Sequence, residues 1–416
     1  MPAEVNGLPV LVSENQRVSN LVHLVACTMM FCLPWAGNVD LPGARFVSLG
    51  FNLGSLGLIL IWVFSVKSPV KSMPRSFLFF ILYILTHTVV FYGFIHSSSL
   101  MSSELVNVGF EIEEGISPIV FITRVTLFIL TVYAISSICT NVRLIKNMAL
   151  SLGVSIVVIL LLGGNYFAAT TGVRFSGGYA NPNSFASVVV LLCFLEIFVL
   201  SEPQFKKGTR VIAGSLLAVS IVVILMTASR SAMLSLLGGC GVLVLLGDVK
   251  KGILYSVLLA LAIISIVTLV APTLFSFAFN RFTNGMGSGR LFIWIAYLQS
   301  WREYIEYGVG LGREMTVMKS LTYNGRIWPP HSTFLRILVA FGAVGFSFFV
   351  YSLWSMALSL VRIQKFRQND FKSRLLMAFL VSILIQMFFG DHFDNRAVWL
   401  SIGFIGAYRS ILTQAC

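Results

Sequence analysis

The chain has 416 residues, 57% of them hydrophobic and 11% charged, with a net charge of +13. A soluble domain is about a quarter charged and just under half apolar, so this composition excludes an ordinary soluble domain. It also removes the nucleic-acid reading that a strongly basic soluble chain invites, because the basic residues stand mostly between apolar blocks, where they orient a membrane chain.

A polar leader with no signal-peptide cleavage pattern precedes the first apolar stretch. Apolar blocks then recur at about the ~20 residues that cross a bilayer core. They show no period-2 alternation, so they are expected to be helices, whose backbone is satisfied internally in lipid. In chain order the predicted spans are 21–37, 44–66, 76–96, 118–138, 147–169, 184–201, 211–228, 232–247, 252–275, 332–361, 375–390 and 398–412. The expected class is an all-α integral membrane protein of about 12 transmembrane helices. The six cysteines (Cys27, Cys32, Cys139, Cys193, Cys240 and Cys416) lie mostly within these blocks and form no CxxC pair, so they are expected to pack rather than to ligate or bridge.

Alternate loops are basic: Lys67, Lys71 and Arg75; Arg143 and Lys146; Lys206, Lys207 and Arg210; Lys250 and Lys251; Arg362, Lys365, Arg367, Lys372 and Arg374. By the positive-inside rule these loops, and with an even helix count both termini, are expected in the cytoplasm. The opposite loops differ. Segment 97–117 has no Lys or Arg but carries Glu104, Glu111, Glu113 and Glu114, while the others hold single arginines: Arg45, Arg174, Arg230 and Arg396. The longest, 276–331, holds Arg281, Arg290, Arg302, Arg313, Lys319 and Arg326. Loops of that length are often functional. Within it Leu291, Trp294, Ile295, Leu298 and Trp301 recur at helical spacing, which predicts an amphipathic helix that lies on the membrane interface or caps a cavity.

Arginines that persist on a face where cations are scarce are the main chemical signal. Arginine suits bidentate phosphate and carboxylate recognition, and a cation at membrane depth is a functional candidate by default. Arg230 stands in Thr227-Ala228-Ser229-Arg230-Ser231-Ala232, a very short turn between two apolar helices. A snorkelling arginine is the plain alternative, and for Arg124 and Arg336 an ion pair within the fold competes equally with function. His331 follows Pro329-Pro330 and opens the helix at Ser332-Thr333, whose hydroxyls are candidate caps. Histidine is the natural general base near neutral pH; packing at a helix start is its ordinary alternative. The loop Arg174 to Asn183 places Asn183 to cap the next helix and glycines for close approach to a ligand. Gly308-Val309-Gly310-Leu311-Gly312 lacks the GK[ST] of a Walker motif and reads as a tight turn. In Gly390-Asp391-His392-Phe393-Asp394 either aspartate can orient a histidine, pair with an arginine, or simply be solvated. No His, Cys or carboxylate cluster has metal spacing.

In this order, these stretches resemble the O-antigen ligase/polymerase superfamily of bacterial envelope glycosyltransferases. The matching pieces are Arg174 with Asn181-Pro182-Asn183, the Thr227–Ala232 turn, Gly289-Arg290 with Trp294, Gly308–Gly312, His331-Ser332 with Gly342 and Gly345, and Asp391 before the last helix. The resemblance implies a GT-C-like bundle with a long periplasmic loop between helices 9 and 10, in the bacterial inner membrane with its site facing the periplasm. It implies metal-independent, cofactor-free transfer of a glycan from undecaprenyl diphosphate, with lipid A–core as acceptor and membrane lipids, not nucleic acid, as surroundings. The family's two key arginines fall on Arg230 and Arg290 and its catalytic histidine on His331; Arg174, Asn181, Asn183, Asp391, Arg313 and Arg336 are expected to bind substrate. The family often has His-Asn where this chain has His331-Ser332, so the role of the neighbouring polar side chain does not carry over.

The single long outer loop and modest length favour a ligase over a polymerase using the same donor. A twelve-helix secondary transporter is the alternative from another class. Against it, the polar residues gather at one face rather than at the midplane where transport sites lie.

Overall fold

The computed structural model describes residues 9–35, 44–65, 75–95, 118–139, 141–163, 174–177, 179, 181–247, 276, 279–280, 289–311, 314, 317, 328–366, 370–393 and 395–414. Among these are twelve α-helices and no strand: α1 (Pro9–Cys32), α2 (Ala44–Ser65), α3 (Arg75–Ile95), α4 (Pro118–Ile138), α5 (Val142–Gly163), α6 (Pro182–Ser201), α7 (Lys207–Thr227), α8 (Arg230–Leu245), the short α9 (Arg290–Gln299), α10 (Thr333–Phe366), α11 (Phe371–Phe389) and α12 (Arg396–Gln414). Five of them, in α5, α6, α7, α10 and α11, are long and apolar enough to cross a membrane. Each predicted span overlaps a described helix except 252–275, which lies outside the described residues, as do segment 97–117, Arg313 and Asp394. The helix α1 begins at Pro9, ahead of the predicted start at 21, through the largely polar run from Ser13 to Asn20.

The helices pair along the chain and across it: α6 with α7, α1 with α2 and α5, α8 with α11, α4 with α12, and α3 with α10. One continuous cluster of buried apolar side chains runs through all of these helices, and a second, small one (Ile293, Ala296, Tyr297, Tyr304, Val317, Val339) seats α9 against α10. At one end of the bundle the basic turns gather. Lys372 on α11 pairs with Glu202 after α6 at 2.6 Å, and Lys146 on α5 lies 5.6 Å over the Phe205 ring. The opposite end collects the starts of α6, α8, α9, α10 and α12, and everything of chemical interest lies there.

The expected uninterrupted helix over 332–361 is broken. At Gly342 the backbone leaves the helix with φ 67° and ψ −172°. A break strands polar backbone groups, and in an apolar core each stranded group costs several kcal/mol. The loop after α9 satisfies them. Val309 N–H donates to Val339 O (2.9 Å), Gly310 N–H to Ala340 O (3.0 Å), and Ala343 N–H donates back to Ile305 O (2.6 Å). From α3 the Tyr83 hydroxyl donates to Phe341 O (3.0 Å), and the His87 ring bonds Tyr307 O (2.5 Å). Gly308 and Gly342 face each other at this seam: a Cβ on Gly342 would stand 2.6 Å from Glu306 O and 2.7 Å from Gly308 N, and one on Gly308 would collide with Ala340 O. The Gly308–Leu311 run is therefore a turn, as its sequence suggests, but one that repairs a broken helix.

Gly342→Ala and Gly308→Ala are expected to destabilise the protein by roughly 2–5 kcal/mol, from the sum of positive-φ strain and overpacking. Gly241→Ala on α8, where a Cβ meets nothing within 4 Å, should be neutral or stabilising. Thermal unfolding of the purified variants in one detergent checks both; equal melting temperatures for all three would contradict this account of the seam.

Candidate functional site

Five segments bring the site together. The first is the loop before α6. Asn181 caps α6, its side chain accepting Asn183 N–H at 2.9 Å, and Pro182 supplies a first helical residue with φ already set. Asn183 was expected as the cap; Asn181 takes that role, which frees the Asn183 amide oxygen to accept from Arg174 at 2.7 Å. Arg174 also donates to Thr227 O at 2.8 Å, and Phe175 N–H to Met226 O at 3.1 Å, so this loop is sewn to the end of α7. Gly177 abuts the Phe185 ring, and so serves the protein's own packing rather than approach to a ligand.

The second segment is the turn between α7 and α8. Thr227 ends α7, Ala228 takes the left-handed conformation (φ 46°, ψ 38°), and Ser229 caps α8 by accepting Ala232 N–H at 3.5 Å. Two residues thus reverse the chain, at a cost of about 1–2 kcal/mol for a non-glycine in that conformation. The result sets Arg230 at the first position of α8. The third segment repeats the arrangement: Gly289 (φ 68°) precedes α9, and Arg290 is its first residue. Arg290 donates to Phe389 O at the end of α11 at 2.5 Å. Burial and the nearby Arg230 guanidinium both hold the Arg290 pKa below its ordinary value. Two guanidinium groups are thus neighbours at two helix N-termini, where the helix dipole adds positive potential.

The fourth segment carries His331. Its backbone is left-handed (φ 50°), an unusual conformation for a non-glycine residue, held between Pro330 and the first turn of α10. Trp294 Nε1–H donates to Pro330 O (2.9 Å) and the Tyr297 hydroxyl to Trp328 O (3.1 Å), so α9 buttresses the histidine turn. The fifth is the turn after α11. Thr333 N–H and the Thr333 hydroxyl both donate to Gly390 O at 3.0 Å, and His392 N–H donates to the same hydroxyl at 2.9 Å. The Thr333 hydroxyl, expected as a local cap, instead ties His331 to the segment bearing Asp391.

The His331 pKa is held below the ordinary histidine value, first by burial and then by Arg290, with Asp391 pulling the other way. The imidazole is accordingly neutral at pH 7 and faces both a cation and a carboxylate. Arg336, on the first turns of α10, donates from Nε to Glu314 at 3.0 Å and from Nη1 to Asp391 at 2.8 Å. Glu314 is buried, and nothing in its sequence context signals it, since an acidic residue in a loop reads as solvated. Of the expected residues, then, Arg230, Arg290, His331, Asp391 and Arg336 share one neighbourhood, Arg174, Asn181 and Asn183 form the adjoining seam at the α7–α8 turn, and Arg313 is not described. Among the described residues no three His, Cys, Asp or Glu side chains gather as a metal-holding group. On α9 the expected apolar stripe points away from the protein: Leu291, Ile295 and Leu298 are exposed, while Ile293, Ala296 and Tyr297 pack inward.

No curated protein matches the chain. A family model described as O-antigen ligase matches residues 215–350, which run from α7 to the middle of α10 and hold Arg230, Arg290, Glu314, His331 and Arg336. That match, over about a third of the chain, supports the O-antigen ligase/polymerase superfamily and a function of ligase or polymerase type.

Proposed function

We propose that this protein is an O-antigen ligase of the bacterial inner membrane. It transfers O-polysaccharide from undecaprenyl diphosphate to lipid A–core at the periplasmic end of the bundle, with both termini in the cytoplasm. The observation that carries the reading is the meeting of Arg230, Arg290 and His331: two cations at two helix N-termini beside a neutral imidazole. Such a pair of mutually repelling guanidinium groups is an anion site, and a diphosphate is the anion that the family's donors carry.

The chemistry follows from the residue types. The acceptor hydroxyl oxygen attacks C1 of the donor sugar while the bond from C1 to the diphosphate oxygen breaks. The electron pair leaves with the diphosphate, where Arg230 and Arg290 stabilise the growing charge. His331 takes the hydroxyl proton as general base. Attack from the side opposite the leaving group inverts C1, and no nucleotide is needed. The exposed stripe Leu291, Ile295 and Leu298 on α9 lies in the membrane interface, so that Arg290 meets the donor at headgroup depth while its polyprenyl tail stays in lipid.

A pH dependence follows. A general base works when unprotonated, and His331 is depressed, so the acid limb of kcat/KM is expected below the ordinary histidine value, near ~6.5. Asp391→Asn removes the one group that raises it and should move the limb lower still. Bound diphosphate brings negative charge, so the limb of kcat should lie above that of kcat/KM. A limb that does not move in Asp391→Asn would remove His331 as the titrating base.

The deciding experiment is the lipopolysaccharide profile of a deletion strain complemented with wild type or His331→Ala. A ligase leaves lipid A–core alone, with polymer still accumulating on undecaprenyl diphosphate, and His331→Ala fails to restore the ladder. Core capped with a single repeat identifies the polymerase instead. An unchanged profile rejects both and returns the transporter.

A further inference from the structure

The Arg336 cluster lies beside the three groups that do the chemistry, and its two carboxylates come from parts of the chain distant in sequence. Arg336 is on α10. Asp391 is on the turn after α11. Glu314 belongs to the 276–331 segment. The guanidinium bonds each carboxylate through a different nitrogen, and all three side chains are largely buried. Tyr297, on the helix that Arg290 opens, is within electrostatic reach of Glu314, Arg336 and Asp391 alike: its burial, then Glu314 and Asp391, raise its pKa, while Arg336 lowers it. The cluster therefore joins α10 to the Asp391 turn and to Glu314, within electrostatic reach of α9.

We propose that Glu314 is a positioning residue of the site: by holding Arg336 on one nitrogen while Asp391 takes another, it fixes the Asp391 carboxylate beside His331. This rests on the reading of His331 as the base. The charge arithmetic gives the reason for a second carboxylate. A lone Asp391–Arg336 pair leaves the guanidinium with unused donors in a site built for an anion, and such an arginine turns toward the diphosphate and draws Asp391 with it or abandons it. With Glu314 in place, Arg336 is occupied by two carboxylates, and Arg230 and Arg290 alone face the leaving group. Asp391 is then kept where it stabilises the imidazolium that forms as the proton is taken. Arginine suits the task because its planar fork binds two carboxylates in fixed directions; a lysine ammonium does not.

The charged groups that act on His331 are Arg290 on α9 and Asp391 on the turn after α11; behind Arg290 stands Arg230 on α8, and behind Asp391 stand Arg336 on α10, Glu314 and Tyr297 on α9. Glu314→Gln leaves the Asp391 carboxylate no longer held beside His331. The acid limb of kcat/KM should then move to lower pH, in the same direction as in Asp391→Asn. The freed Arg336 adds an anion ligand to the ground state, so KM for the donor should not rise, while kcat falls at least about tenfold, in the range of a lost orienting interaction. Glu314→Asp keeps the charge on a shorter arm, so its limb should stay at the wild-type pH.

The test uses the full chain in liposomes with undecaprenyl-diphosphate-linked glycan and lipid A–core, with rates normalised to folded protein. Wild type and His331→Ala are measured first. If wild type shows no transfer, or its acid limb survives in His331→Ala, the functional reading fails, whatever Glu314 does. If they behave as expected, lower kcat, unraised KM and a lowered limb in Glu314→Gln support the positioning role. Wild-type kcat and limb in that variant, or a loss explained entirely by the folded fraction, overturn it. Should Glu314→Gln not be recoverable, Arg336→Lys carries the test: a tenfold fall in kcat at unraised KM is expected, and wild-type kcat overturns the proposal.

Discussion

His331→Ala is expected to lower transfer by roughly 10²–10⁴-fold, the usual contribution of a positioned general base, without loss of donor binding. The imidazole is half-buried, and burial and Arg290 both lower its pKa, which favours the unprotonated form a general base needs. The turn that carries it is held from three sides by hydrogen bonds that do not involve the imidazole: Trp294 Nε1–H to Pro330 O, the Thr333 hydroxyl to Gly390 O and His392 N–H to the Thr333 hydroxyl. The fold should therefore survive truncation. His331→Gly sharpens the point. The native φ of 50° is strained for histidine and easy for glycine, so this variant should be as inactive as alanine yet no less stable, gaining up to about 1 kcal/mol. Melting temperature and transfer rate measured side by side check it. An active glycine variant would remove His331 from the chemistry, and a collapsed one would make its role structural.

The second large effect belongs to the arginine pair. Arg230→Ala and Arg290→Ala should each lower kcat by roughly 10²–10³-fold, the range seen when one preorganised donor to a developing charge is lost. Lysine should not restore either, because a point charge replaces the guanidinium's sign but not its fork. The two differ in one respect. Arg290 depresses His331, so its loss should move the acid limb upward; Arg230 is not among the groups that shift His331 and should leave the limb in place. If both grip one diphosphate, the double variant should lose much less than the product of the single losses. Multiplicative losses would place the two arginines on separate ligands. Wild-type kcat in Arg230→Lys would reduce that residue to a lipid-facing cation.

Much of this protein was legible before any tertiary contact is considered. Apolar blocks near bilayer length specify helices, because a backbone in lipid has few other ways to satisfy itself. The alternation of basic loops foretold that the turns bearing Lys146, Lys206 and Lys372 would share one end, and the contacts of Lys372 with Glu202 and of Lys146 with Phe205 put them there. The short Thr227–Ala232 turn and the Pro329-Pro330 stop likewise set Arg230 and His331 at helix starts, since proline and two-residue turns act locally. What local pattern does not contain is partnership across the chain. Nothing in the run from Thr333 to Phe366 marks Gly342 as a break, because the groups that make a break tolerable, Ile305 O, Val309 N–H and Gly310 N–H, come from another segment. Arg336 and Asp391 were both marked as substrate ligands with an ion pair left open for each, since an arginine or aspartate at a helix end looks the same whether it waits for a ligand or holds a neighbour. Only the tertiary structure, by bringing Glu314 to Arg336 at 3.0 Å, decided that this arginine is occupied by the protein itself. The physical reason is range. Helix formation and chain reversal are settled within a few residues, whereas an ion pair between residues 314 and 336, or 336 and 391, exists only once packing has closed the bundle around it.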